Sequence, residues 1–377
     1  MKGKGVCHGK ILDQTDSRVR CFCGSSGSCF HWPGFWRSPD AGKQRHHGDR
    51  CYGSKGNNGI IRCLGTGSDT VGNDGRDQTA KQLCFKPKVC SAYMEEIFGK
   101  TMCETWFHLV DAVLAGEDTF ACPDQHTYDW VMGQFPIRCF PVLTELIDYA
   151  YDRENSVVDG IASFTYRVPR EEAARQIGEF EQQVEGILND AFEDDYSDFE
   201  KVLALYEYFS QHYQYDYETE QKTYVAFVDY TTTYRLFKEG MGICSEIARA
   251  FAYLLMQAGV DAATVMSGGH EWSLVRINGV NYHVDPTFAL DTGCSLAYFM
   301  MTDEQREATG YGRDSFVFIS NYSQDHPHAD YPADDDTFGP LWERRLETFY
   351  PQENFLRCWK YSDIGEMDYL DFDYTGY

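Results

Sequence analysis

Several absences bound this sequence before any motif is read. No apolar run approaches the roughly 18 to 20 residues that a helix needs to cross a bilayer, so a helical membrane span is excluded. The opening stretch MKGKGVCHGKILDQTDSRVR carries basic residues with no apolar core behind them, so no secretory signal is visible. Positive charge is scarce: 33 Lys and Arg face 59 Asp and Glu, a net charge of −26. Such a surface repels a phosphate backbone, which argues against a nucleic-acid partner and leaves peptides, proteins or small molecules. Paired cysteine knuckles are missing too. The closest groupings, Cys21-x-Cys23, Cys29-x-His31 and His46-His47 with Cys51, have no matching second pair, so no structural metal and no cofactor is expected.

What is present divides unevenly. The first 90 residues hold 15 Lys and Arg, seven Asp and no Glu, whereas the rest hold 18 basic and 52 acidic residues. Residues 1–90 are rich in Gly, Ser, Cys and His without a sustained apolar period, and read as a basic, disordered leader that adds little to a core. Eight of the 14 cysteines lie there; the other six are too sparse for a disulfide scaffold, although bridges among Cys103, Cys122 and Cys139 stay open. Residues 91–195 read as a mixed, mostly helical support region. In it, Met94–Leu114 is expected as a helix, Ala162–Val168 as a strand, and Pro169–Leu188 as an amphipathic helix. Cys122-Pro-Asp-Gln-His126 reads as a polar turn. Residues 196–377 carry the chemistry and end in an acidic, aromatic-rich tail. There Asp325, Asp330, Asp334, Asp335 and Asp336 lack the alternating spacing of a calcium loop and read as a solvated loop.

Asp198–His212 places Val202, Leu203, Leu205, Tyr206 and Phe209 on one helical face. Beyond it, Gly240-Met-Gly242-Ile-Cys244 leads into Ser245–Ala258, a run of good helix formers that stops at Gly259. Ile247, Phe251, Leu254 and Leu255 mark the stripe this helix should bury. A thiol at its N-terminus feels the positive end of the aligned peptide dipoles, which favours thiolate, and the free amides there can hold an oxyanion.

Asn278-Gly279 between alternating strands is a strong hairpin signature. A two-residue turn pairs Ile277 with Val280, and counting outward sets Trp272 opposite Asp285. His270 and Asp285 then become diagonal neighbours on one face. Val275, Ile277, Val280, Tyr282 and Val284 fall on the other face, expected to pack on the core and to leave the His-Asp face turned away from it. Cys244, His270 and Asp285 together supply a nucleophile, a base and a group that orients the base. Trp272, Tyr224, Tyr230 and Tyr234 are candidates for substrate or oxyanion contacts.

Gly242-Ile-Cys244-Ser-Glu-Ile-Ala-Arg-Ala-Phe, Gly269-His270-Glu-Trp272 and Tyr282-His-Val-Asp285-Pro-Thr287-Phe288 resemble the transglutaminase-like superfamily, in which Cys, His and Asp arrive in that order. The resemblance spans about Asp198 to Leu290. It implies an α+β, papain-like fold in which the nucleophile helix packs on an antiparallel sheet carrying His and Asp. It also implies thiol-dependent acyl transfer on amide bonds of peptides or proteins, with water or an amine as acceptor. A surface interaction module that keeps the fold without catalysis is the alternative. Ser245-Glu246 stands where many bacterial members have Gln-Gly. Likeness to secreted or envelope-associated members implies export.

Overall fold

The computed structural model describes residues 83–148, 156–223, 231–290, 292–311, 316–318 and 331–377. Asn278 and Gly279 both have positive φ, 51° and 81°, the backbone that a two-residue type I′ hairpin requires. The turn pairs Ile277 with Val280, Val275 with Tyr282 and Ser273 with Val284, the register that the Asn-Gly reading predicts. The hairpin forms one side of a four-stranded antiparallel sheet. Its order is Val280–Val284, His270–Ile277, Asp261–Ser267 and Val317–Phe318. All the described residues fall in one compact unit, Gly65–Tyr377, so support and catalytic regions share a single body.

The helix Cys244–Gln257 lies against this sheet, where the Ser273 hydroxyl donates to the Ala248 carbonyl at 3.0 Å. Ile247, Phe251, Leu254 and Leu255 are fully buried, and so are Ala248, Ala250 and Tyr253. A helix apolar on nearly every side belongs inside a protein, and this one is packed all round. Each large side chain contributes about 1.5 to 3 kcal/mol by leaving water. Gly259, with φ of 89°, turns the chain out of the helix as expected.

The expectation that the His-Asp face turns away from the core is wrong. Trp272, Leu274, His283 and Asp285 on that face are as buried as Val275, Ile277, Tyr282 and Val284 on the other. The cause is long-range. The helix Ala92–Phe98 covers one end, where the Tyr93 hydroxyl donates to Asn281 Oδ1 at 2.6 Å and Arg276 grips Glu96 at 2.9 and 3.0 Å. The short helix Asp303–Ala308 covers the other, placing Asp303 on His283 and Arg306 on Asp285.

Helix Ala92–Phe98 begins at Ser91, whose hydroxyl accepts the Met94 N–H. It ends at Gly99, whose φ of 86° breaks the single helix expected over Met94–Leu114 into two, the second being Lys100–Ala115. The strand expected over Ala162–Val168 is shorter, Ile161–Ser163, in a small sheet with Thr119–Ala121 and Val157–Val158. Arg170–Ala191 and Asp198–His212 form where the apolar periodicity places them. The second starts on a reciprocal cap, with Glu200 N–H donating to Ser197 Oγ at 3.2 Å and Ser197 N–H to Glu200 Oε2 at 2.6 Å. Asp124 caps Gln125–Gln134, so the polar turn expected over Cys122–His126 is confined to Cys122–Asp124, and Gln125 and His126 open the helix.

A boundary at residue 90 cuts through docked chain. Leu83 exchanges hydrogen bonds with the Asn189 side chain, both at 2.9 Å, and Lys86 exchanges two with the Gln257 amide, both at 2.8 Å. Val89 is buried and its carbonyl takes the Trp106 indole N–H at 3.2 Å. Of the leader expected over residues 1–90, residues 1–82 lie outside the described residues. At the other end, Arg345–Tyr350, Phe355–Tyr361 and Met367–Asp373 form an antiparallel meander. The Tyr374 hydroxyl then returns to Glu200 at 2.9 Å. Asp325 and Asp330 also lie outside the described residues. Among those described, no group of three or more His, Cys, Asp or Glu is placed to hold a metal ion, and no helix is long and apolar enough to cross a membrane.

Candidate active site

Cys244 is the first residue of its helix and is partly exposed. The approach to it is packed from below. A Cβ on Gly242 would lie 3.0 Å from Leu236 Cδ1 and 3.2 Å from Glu246 Oε2, so a larger residue would have to push these side chains aside. Glu246, inaccessible to solvent, accepts the Ile243 N–H at 3.0 Å and a two-point bond from Arg235 at 2.9 and 2.5 Å. Arg235 also reaches Asp216 at 2.8 Å and Glu239 at 2.9 Å. Burial pushes the Glu246 carboxyl up, and Arg235 pulls it back only in part. Glu246 is thus a structural post for the nucleophile loop.

The structure brings Cys244, His270 and Asp285 together. His270 opens its strand, and the Cys244 thiol is among the groups that act electrostatically on its imidazole. Its Nε2 lies 2.7 Å from Asp285 Oδ2, which leaves Nδ1 for the sulfur. Burial alone would lower the imidazole's pKa. The Asp285 carboxylate, reinforced by Cys244, outweighs it and pushes His270 up to about 9. Asp285 is fully buried, yet its carboxyl is held below the ordinary range, because His270 and Arg306 overcome the burial. Its Oδ1 accepts the Thr287 N–H at 3.2 Å, and Arg306 Nη2 stands 2.9 Å from Oδ2.

Aromatic rings hold the imidazole in plane. Tyr311 stacks on it at 5.3 Å and 29°, Trp272 at 5.9 Å and 23°, and Phe288 leans in at 5.5 Å. The indole N–H of Trp272, a candidate for substrate or oxyanion contacts, is already committed: it donates to His283 Nδ1 at 2.9 Å. With Nδ1 accepting, His283 donates from Nε2 to Asp303 Oδ1 at 2.8 Å. Trp272 is therefore a wall of the site whose edge is tied down. Tyr234 packs edge-on to Phe180 at 5.5 Å beneath Lys238. Neither contact involves the triad, and Tyr224 and Tyr230 lie outside the described residues. First-turn amides of a helix lack intrahelical acceptors, so those at Cys244 and Ser245 are the donors suited to an oxyanion.

Sequence reading missed Arg306, Tyr311 and the pair Arg249–Glu271. Glu271 could have been found, since a carboxylate on the apolar side of a strand calls for a buried cation. Arg306 and Tyr311 carried no comparable mark.

A family profile described as the transglutaminase-like superfamily matches residues 187–293, the stretch that supplies this helix and hairpin. That stretch is similar to a transglutaminase-like core, in keeping with the nucleophile helix, the antiparallel sheet and the Cys-His-Asp arrangement. It supports a thiol-dependent enzyme in general terms. Two solved structures are similar over part of their length. One is a transglutaminase, 19% identical over 32% of this chain and 34% of that one, with a TM-score of 0.28. The other is a candidate cysteine protease from Cytophaga hutchinsonii, 18% identical over 29% of this chain and 38% of that one, with a TM-score of 0.23. This chain therefore spans little more than a third of either, and nothing below rests on them. No curated protein matches.

Proposed function

We propose that the chain is an acyl-transfer enzyme that opens amide bonds of peptides or proteins through a thioester on Cys244. In this reading the Cys244 proton passes to His270, which Asp285 holds as imidazolium. The sulfur lone pair attacks the amide carbonyl carbon, and the carbonyl π pair moves to oxygen, facing the first-turn amides. As the tetrahedral adduct collapses, the C–N bond breaks and the departing nitrogen takes the His270 proton. His270, now neutral, removes a proton from water or an amine, whose attack on the thioester releases Cys244 as thiolate. Asp285 steadies the imidazolium and fixes its ring throughout.

The observation that carries this reading is His270 Nε2 at 2.7 Å from a fully buried Asp285, with the Cys244 thiol acting electrostatically on the same imidazole. The test is to quench the full chain in acid with a glutamine-containing peptide library, with and without a primary amine. A hydroxylamine-labile acyl adduct on the Cys244 peptide, absent in Cys244→Ser, is expected. Full occupancy by library peptides with no adduct and no turnover would favour the interaction module.

A further inference from the structure

We propose that Arg306 is a positioning residue for the triad: its guanidinium fixes the carboxylate of Asp285, which in turn orients His270, without touching substrate itself. The inference rests on the reading of Cys244, His270 and Asp285 given above. Arg306 sits on the helix Asp303–Ala308 and is wholly buried. Its Nη2 lies 2.9 Å from Asp285 Oδ2, the oxygen that also faces His270 Nε2. The contact is an ion pair lacking the angle of a hydrogen bond, and among the described residues Nε and Nη1 have no acceptor.

What holds the guanidinium is stacking. Its Cζ lies 4.0 Å from the Trp272 ring centroid and 4.4 Å from that of Tyr311, the two rings that also face the His270 imidazole. The same helix supplies Asp303, which through His283 ties down the Trp272 edge. One short element thus fixes the carboxylate, the cation beside it and a ring that both the cation and His270 stack on.

A role in packing alone explains this poorly. Burying a cation is costly unless it is fully paired, and an arginine kept for stability would satisfy its N–H groups. Here, among the described residues, they find no hydrogen-bond acceptor, while the charge is aimed at one carboxylate. The groups around Asp285 are His270 from the strand, Arg306 from the helix and Thr287 from its own turn, with the hydroxyl-bearing Tyr206, Tyr298 and Tyr311 nearby. Of these, only His270 and Arg306 can carry positive charge. Without Arg306, Asp285 would share its burial with a single cation.

The experiment is an NMR titration of the His270 ring in the full chain, which needs no activity. Protonation of Asp285 should appear as an acid-side inflection of that resonance. It should move up by about 1 unit or more in Arg306→Met, since a neighbouring cation lowers a carboxylate by about 1 to 3 units. Arg306→Lys, which keeps the charge, should hold it near the wild-type position; Arg306→Gln is the neutral variant to use if Arg306→Met does not fold. An inflection unmoved in the neutral variant, or moved as far in Arg306→Lys, overturns the proposal. Alkylation of Cys244 adds a second criterion: Arg306→Met combined with Asp285→Asn should be no slower than Asp285→Asn alone, and multiplied losses would show that Arg306 acts elsewhere. An unreactive wild-type Cys244 would remove the proposed function, while the titration would still decide on Arg306.

Discussion

Arg249, on the nucleophile helix, and Glu271, next to His270 on its strand, form a two-point ion pair at 2.9 and 2.6 Å. Each partner sits a few residues from a member of the triad, so this pair sets the spacing between the thiol's helix and the imidazole's strand. Glu271 is almost wholly buried. Arg249→Met would leave its charge uncompensated, at an expected cost of about 3 kcal/mol in urea unfolding together with slower alkylation of Cys244. A variant as stable and as reactive as wild type would show that the pair spaces nothing.

Stability should follow the triad's charges. With His270 raised to about 9, its imidazolium contributes stability that is fully present below the ordinary histidine value of about 6.5 and is lost as pH rises through about 9. Asp285, held low, contributes stability present above about 3.9 and lost as pH falls through its folded value. The unfolding free energy that separates wild type from His270→Gln should therefore be largest between about pH 4.5 and 6.5. There it should be on the order of 3 kcal/mol, shrinking by about pH 10. A difference flat across that range would mean that His270 and Asp285 do not hold each other charged.

Much of this arrangement is legible in the sequence because it is local. Asn278-Gly279 dictates a turn, the turn dictates a register, and the register makes His270 and Asp285 neighbours. The run of helix formers after Cys244 likewise dictates its position at a helix start. What could not be read depends on chain far away. The burial of the His-Asp face comes from Tyr93 and Glu96, over 170 residues upstream, and from a six-residue helix that follows Asp285. Alternation tells which residues share a face, and only tertiary packing tells what covers it. Nothing in the sequence ties the Trp272 indole to His283; only the folded hairpin does.

Gly242 is the tightest point beneath the nucleophile. Gly242→Ala would push against Leu236 and Glu246. The expected outcome is a loss of about 1 to 3 kcal/mol by urea unfolding, with Cys244 displaced and alkylated more slowly. Unchanged melting together with unchanged reactivity would show that the loop has room to spare.

The segment before Ser91 should matter to stability. A chain truncated to begin at Ser91 loses Val89 from the core and takes from the Asn189 and Gln257 side chains the backbone N–H donors and carbonyl acceptors of Leu83 and Lys86. Its midpoint in urea should fall, and Gln257→Ala in the full chain should lose part of the same stability, about 1 to 3 kcal/mol. Identical midpoints for the truncated and full chains would show that the docking adds nothing.

The most direct test of the central claim is a brief, substoichiometric iodoacetamide pulse near pH 6, followed by peptide mapping. Cys103, Cys122, Cys139, Cys294 and Cys358 are buried, and burial pushes Cys122 and Cys358 up to about 11 and Cys294 up to about 12. Cys244 is partly exposed and interacts electrostatically with an imidazole that stays protonated at this pH. The label should concentrate on Cys244 and fall strongly in His270→Ala. Label spread over other cysteines, or a Cys244 that reacts only as pH approaches about 9, would contradict a thiolate held by His270.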